Sequence, residues 1–113
     1  MNADEKRSSG RVRLVGRCWC DSPALSQYVH IDDASEGGFF IKTLSPFVEG
    51  EQVRVKWGFP NEPLSHEACM QVVWRRRNGS YATDPGMGLK FLDISQESAE
   101  ALKKFITRSR KIQ

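Results

Sequence analysis

Alternation of apolar and charged side chains constrains this chain more than any other feature. In QVRVKWGF, from Gln52, Val53, Val55 and Trp57 fall on one side while Arg54 and Lys56 fall on the other. A period of two is the signature of a half-buried strand. The same period appears from Arg11. Val12, Leu14, Cys18 and Cys20 share one face, and Arg11, Arg13, Arg17 and Trp19 the other. Further strand-like runs are Gln27–Asp32, Phe39–Thr43, Glu67–Arg76 and Gly88–Asp93. Turn chemistry separates them: Asp21-Ser22-Pro23, then Pro46 and Gly50, then Pro60, Asn61 and Pro63, then Asn78-Gly79 with Asp84, Pro85 and Gly86.

The end of the chain changes period. Ser95 can cap a helix. Glu97 and Glu100 come early, and Lys103, Lys104, Arg108 and Arg110 late, which suits the helix dipole. Ala101, Leu102, Phe105 and Ile106 make a narrow apolar stripe at helical spacing. Six strands and one terminal helix predict a mainly all-β fold, an antiparallel sheet that must protect its edges. Closure into a six-stranded barrel does so, with the C-terminal α-helix over one opening or one side. The 113 residues, 39% of them apolar, suffice for one domain with a real core. The expected division is a flexible N-terminal arm at 1–10 and a barrel at 11–113, its helix starting near 95.

Several function classes drop out. No apolar run approaches the roughly 20 residues of a membrane span. MNADEKRSSG is polar, with no apolar signal region behind it, so a cytoplasmic location is expected. Three cysteines make a poor disulfide framework, and Cys18 and Cys20 read as buried thiols. Cys69, His30 and His66 lack metal-ligand spacing, so no metal or cofactor is expected. No nucleophile–base pair stands out, so an enzyme is not expected. A net charge of +3 permits an anionic partner without demanding a polyanion.

Between the second and third strands lies Asp33-Ala34-Ser35-Glu36-Gly37-Gly38. Asp33 and Ser35 are two apart, so extended backbone would point them the same way. A carboxylate beside a hydroxyl can grip the N1–H and N2–H₂ edge of guanine. Gly38 would admit a ligand or another backbone at close range. Upstream, Arg7 and Arg11 sit on or beside the arm and can converge on one ligand. Arginine suits phosphate through bidentate bonds and guanine through O6/N7 pairing or stacking. Together these residues point to a guanine nucleotide.

These motifs resemble those of the PilZ domain, a bacterial receptor module for cyclic di-GMP. That family carries Arg-x-x-x-Arg in an N-terminal arm and Asp/Asn-x-Ser-x-x-Gly at the start of a barrel strand. Here the positions are Arg7 and Arg11, then Asp33, Ser35 and Gly38. The likeness continues through GGFFIKT, EGEQVRVKW, MQVVW at Met70–Trp74 and PGMGLKFLDIS at Pro85–Ser95. Arg13 and Arg17 share the arginine spacing, but they lie inside the first strand, roughly 13 Å apart at strand rise. Arg11 also precedes Asp33 by 22 residues, the family's usual distance. The resemblance implies that Arg7 and Arg11 hold phosphate and guanine, that Asp33 and Ser35 contact a guanine, and that Gly38 keeps the strand close. Lys6 could add a phosphate contact. It further implies a non-catalytic effector whose arm orders on binding and switches a protein partner in motility, pilus or exopolysaccharide control.

Two other readings compete. A degenerate family member could act as an adaptor without nucleotide, using Trp19, Phe47, Trp57 and Arg75–Arg77, although Trp57 and Trp74 read first as barrel packing. A single-stranded nucleic-acid binder could use Arg11, Arg13, Arg17 and Trp19. With one aromatic among those arginines and mixed charge elsewhere, nucleic acid is not the expected partner.

Overall fold

The structure is a computed structural model that describes residues 11–76 and 85–112. Lys6, Arg7 and the arm at 1–10 lie outside the described residues, as do Arg77 and the Asn78-Gly79 turn. Six strands form: β1 (Val12–Asp21), β2 (Ser26–Ser35), β3 (Gly38–Lys42), β4 (Gln52–Trp57), β5 (His66–Arg76) and β6 (Gly86–Ile94). One helix, α1 (Gln96–Ile112), follows. The strands close into an antiparallel barrel in the order β1-β2-β3-β6-β5-β4, with β4 pairing back onto β1. Each described strand thus has a neighbour on both sides, which is the benefit the edge argument anticipates.

The alternation decides what is inside. Val53, Val55 and Trp57 of β4 are buried, and Gln52, Arg54 and Lys56 are exposed. Leu14, Cys18 and Cys20 of β1 join them, with Ile31, Phe39, Ile41, Met70, Val72, Met87 and Leu89 from the other strands. The two thiols of β1 are 3.8 Å apart. The Cys18 thiol is pushed far above its ordinary pKa, first by its hydrogen bond with Cys20, then by burial, then by the neighbouring thiol's charge.

Leu102 and Ile106 of α1 enter the same core. Phe105 rests on Phe59 with ring centres 5.1 Å apart, and Ser98 Oγ lies 2.7 Å from His66 Nδ1. Phe59 follows β4 and His66 opens β5, so the helix closes that end of the barrel. Ser95 caps it as expected, its Oγ accepting from Ser98 N–H at 3.1 Å.

Two expectations need correction. Asp33–Ser35 is not a connection between strands. β2 continues through Ser35, and only Glu36 and Gly37 turn the chain. Trp74 is not barrel packing. It stands 41% exposed on the outer surface, while Phe47, read as a contact residue, is buried.

Candidate ligand-binding site

The extra acid in His30-Ile31-Asp32-Asp33 has a geometric cause. On β2, Ile31 pairs with Ile41 of β3, but Asp33 pairs with Phe40, so the strand carries one extra residue there. A bulge of this kind resets the in–out phase. Ile31 and Ala34 are both buried although three residues apart. Without the bulge, Asp33 would follow Ile31 into the core. With it, Asp33 and Ser35 both reach the outer face.

Arg11 stands immediately before β1, whose Arg13 is the register partner of Asp33. This places the guanidinium against the carboxylate. Arg11 Nε donates to Asp33 Oδ1 at 2.9 Å, and Nη2 reaches the same oxygen. The two side chains remain 45% and 29% exposed. Water competes for such a pair, so it is worth little to folding. Ser35 Oγ accepts from Gly37 N–H at 3.2 Å, which leaves the hydroxyl hydrogen to donate elsewhere. The turn is held from the far side, where Phe91 N–H donates to Gly37 carbonyl at 2.9 Å.

Gly38 has a reason of its own. A Cβ there would run into the backbone of Leu89 on β6, carbonyl oxygen first. The bare position admits the backbone of the neighbouring strand.

The other arginines of β1 point to different work. Arg13 Nη2 lies 3.9 Å from Asp32 Oδ1, the oxygen that Lys42 Nζ approaches at 3.6 Å. Arg17 sits over the ring of Tyr28, and Tyr28 packs beside Trp19 with centres 4.9 Å apart. Arg13 and Arg17 therefore do not share a target. Tyr28 also adds a second exposed aromatic to the Trp19 face, which the sequence reading missed.

Arg11, Ser35 and Gly38 line one cleft of about 160 Å³, together with Phe39, Val73, Trp74, Leu89 and Lys90. Small-molecule sites commonly run to 300–1,000 Å³. The described walls are therefore too small to enclose a dinucleotide. A larger cleft, about 840 Å³, lies between α1 and the loop after β4. It carries Glu62, Glu97 and Glu100 against Lys104 and Arg108, a poor setting for an anion. Among the described residues the smaller cleft has Arg11 and Lys90 and no carboxylate in its lining, with Asp33 reaching Arg11 from beside it.

The PilZ domain family model matches residues 5–108. The chain belongs to the PilZ family. No curated protein matches it significantly. Solved structures do, and they agree on the fold. The Bacillus subtilis inhibitor of motility, MotI, superposes at a TM-score of 0.76 with 22% identity, over 91% of this chain and 50% of its own. Escherichia coli YcgR, solved with cyclic di-GMP, gives 0.61 and 19%, over 87% and 43%. Borreliella burgdorferi PlzA, also solved with cyclic di-GMP, gives 0.60 and 12%, over 94% and 38%. This chain thus spans half or less of those three proteins. Among the described residues of this PilZ domain, no helix is long and apolar enough to cross a membrane.

Proposed function

We propose that this PilZ domain is a non-catalytic cyclic di-GMP effector. The observation that carries the reading is the Arg11–Asp33 pair, which joins the second arginine of one motif to the acid of the other on the outer face. Guanine offers what each partner of that pair can use: N1–H and N2–H₂ donors for the carboxylate, O6 and N7 acceptors for the guanidinium. Ser35 adds a hydroxyl beside them. Arg7 supplies the second guanidinium and Lys6 a phosphate contact, and the arm at 1–10 orders on binding. YcgR and PlzA, both solved with this ligand, support the choice.

Binding gains charge-assisted hydrogen bonds and loses the entropy of the arm. The ordered arm then offers a new surface to a protein partner. Motility, pilus or exopolysaccharide control is the setting we favour, in line with the motility inhibitor among the relatives. The action would be cytoplasmic.

Calorimetric titration with cyclic di-GMP tests this. Micromolar or tighter binding is expected for the wild type, and loss of binding for Arg7→Ala, Arg11→Ala and Asp33→Ala. A folded wild type that gives no saturable heat overturns the reading and leaves the adaptor role.

A further inference from the structure

We propose that the outer face of β1, β2 and β4 around Trp19 and Tyr28 is a docking surface for an acidic segment of a partner protein, anchored by a bulky apolar side chain. The inference rests on the reading of this domain as a switch for a protein partner, and it places the contact away from Arg11 and Asp33.

Trp19 and Tyr28 are register partners on β1 and β2, 42% and 48% exposed, with ring centres 4.9 Å apart. The core takes the other face of β1, where Cys18 and Cys20 are fully buried. Rings left this open contribute less to folding than buried ones. They are nevertheless held in place. Each packs on the other, and the Arg17 guanidinium lies 5.2 Å from the centre of the Tyr28 ring. Side chains fixed in this way lose little freedom when a partner arrives. Tryptophan, tyrosine and arginine are also the residues that anchor protein interfaces most often.

A cleft of about 550 Å³ opens beside the rings, with Gly16, Arg17, Tyr28, Pro60, Pro63 and Leu64 in its lining. Gly16 keeps it open. A Cβ there would meet nothing closer than 3.8 Å, and its φ is not positive, so the fold does not demand glycine. The bare backbone leaves room for a side chain from outside, and the prolines and Leu64 give that side chain an apolar wall.

Charge selects the occupant. Arg17 precedes Trp19 by two residues, and Lys56 of β4 is the register partner of Trp19. Both are exposed, and neither has a carboxylate partner among the described residues. The acids nearby are engaged: Glu67 with Arg54 at 3.4 Å, and Asp32 with Arg13 and Lys42. Asp21 is the register partner of Arg54. A carboxylate from outside would complete Arg17 or Lys56. A continuous polyanion fits less well. It would meet those acids and Glu62 of the cleft, and the two rings pack on each other instead of lying open to successive bases.

The test is selection of short random peptides displayed on phage against the full chain, followed by fluorescence anisotropy with the selected peptides. Enriched sequences should carry Asp or Glu beside Leu, Ile, Phe or Trp. Their binding should weaken about tenfold or more in Trp19→Ser and Gly16→Leu. Lys56→Glu should weaken it about fivefold at low salt and less at high salt. Asp33→Ala should bind the peptides like the wild type. No enrichment, a consensus without acids, or wild-type affinity in both Trp19→Ser and Lys56→Glu overturns the inference. Displacement of the peptides by oligo(dT) also overturns it and makes the face a nucleic-acid site. Unchanged urea midpoints show that the variants are folded, and Lys56→Glu, at an exposed position, decides the matter if Gly16→Leu is not. Calorimetry with cyclic di-GMP separates the two readings. A wild type that binds the peptides but not the nucleotide overturns the cyclic di-GMP reading and leaves this surface standing. A wild type that binds the nucleotide while the peptide tests fail overturns the surface alone.

Discussion

Arg11 Nε stands 2.9 Å from Asp33 Oδ1, across 22 residues of sequence. Two features bring them together: Arg13 pairs with Asp33 in the barrel, and the β2 bulge turns Asp33 outward. The pair therefore sits where a ligand can reach it. Each partner satisfies the other, and a guanine edge carries donors for the carboxylate and acceptors for the guanidinium.

If the pair serves binding, its removal should be felt in affinity and hardly in folding. Arg11→Ala and Asp33→Ala should each change unfolding free energy in urea by less than about 1 kcal/mol, as exposed pairs do. Cyclic di-GMP affinity should fall by about 2 kcal/mol or more, some 30-fold. A large stability loss with affinity intact would make the pair structural.

Gly38→Ala should do the reverse. Its Cβ would meet the Leu89 backbone, which cannot rotate away. Prising β3 from β6 should cost about 1–3 kcal/mol, read as a lowered urea midpoint. An unchanged midpoint would show that the two strands part freely.

Arg13 and Arg17 imitate the arginine motif without sharing a target. Arg13→Ala and Arg17→Ala should bind cyclic di-GMP within about threefold of wild type by calorimetry. A loss matching that of Arg11→Ala would assign the motif to the wrong pair.

Stability should fall at alkaline pH because of Cys18. Its folded pKa is raised, so the contribution is intact below the unfolded thiol value of about 8.5 and is lost as pH rises from there toward the folded value. The slope is about 1.4 kcal/mol per pH unit for one thiol. Thermal melts from pH 7 to 10 should show this decline in the wild type and a weaker one in Cys18→Ala. Parallel declines would place the alkaline sensitivity elsewhere.

The barrel was legible because period-two alternation leaves little choice about which side chains go inside, as Val53, Val55 and Trp57 show. The helix was legible from Ser95 and the stripe around Leu102 and Ile106. What escaped were the irregularities. A bulge adds one residue and breaks the period, so Asp33–Ser35 read as a loop and Trp74 as core. The signals were present in hindsight. Ile31 and Ala34 are apolar at a spacing of three, and Val72-Val73-Trp74 runs apolar without alternating. The Gly86-Met87-Gly88 segment puts bare backbone opposite Trp74. Single-strand reading does not see across the sheet, and that is where Gly38 and Gly88 acquire their meaning.

The most direct test is an amide NMR titration of the ¹⁵N-labelled chain with cyclic di-GMP. The account predicts saturable shifts at Arg11, at Asp33–Gly38 and at Gly88–Lys90, with Trp19 and Tyr28 unmoved. Shifts centred instead on Phe59, His66 and α1, or none at saturating ligand, would contradict it.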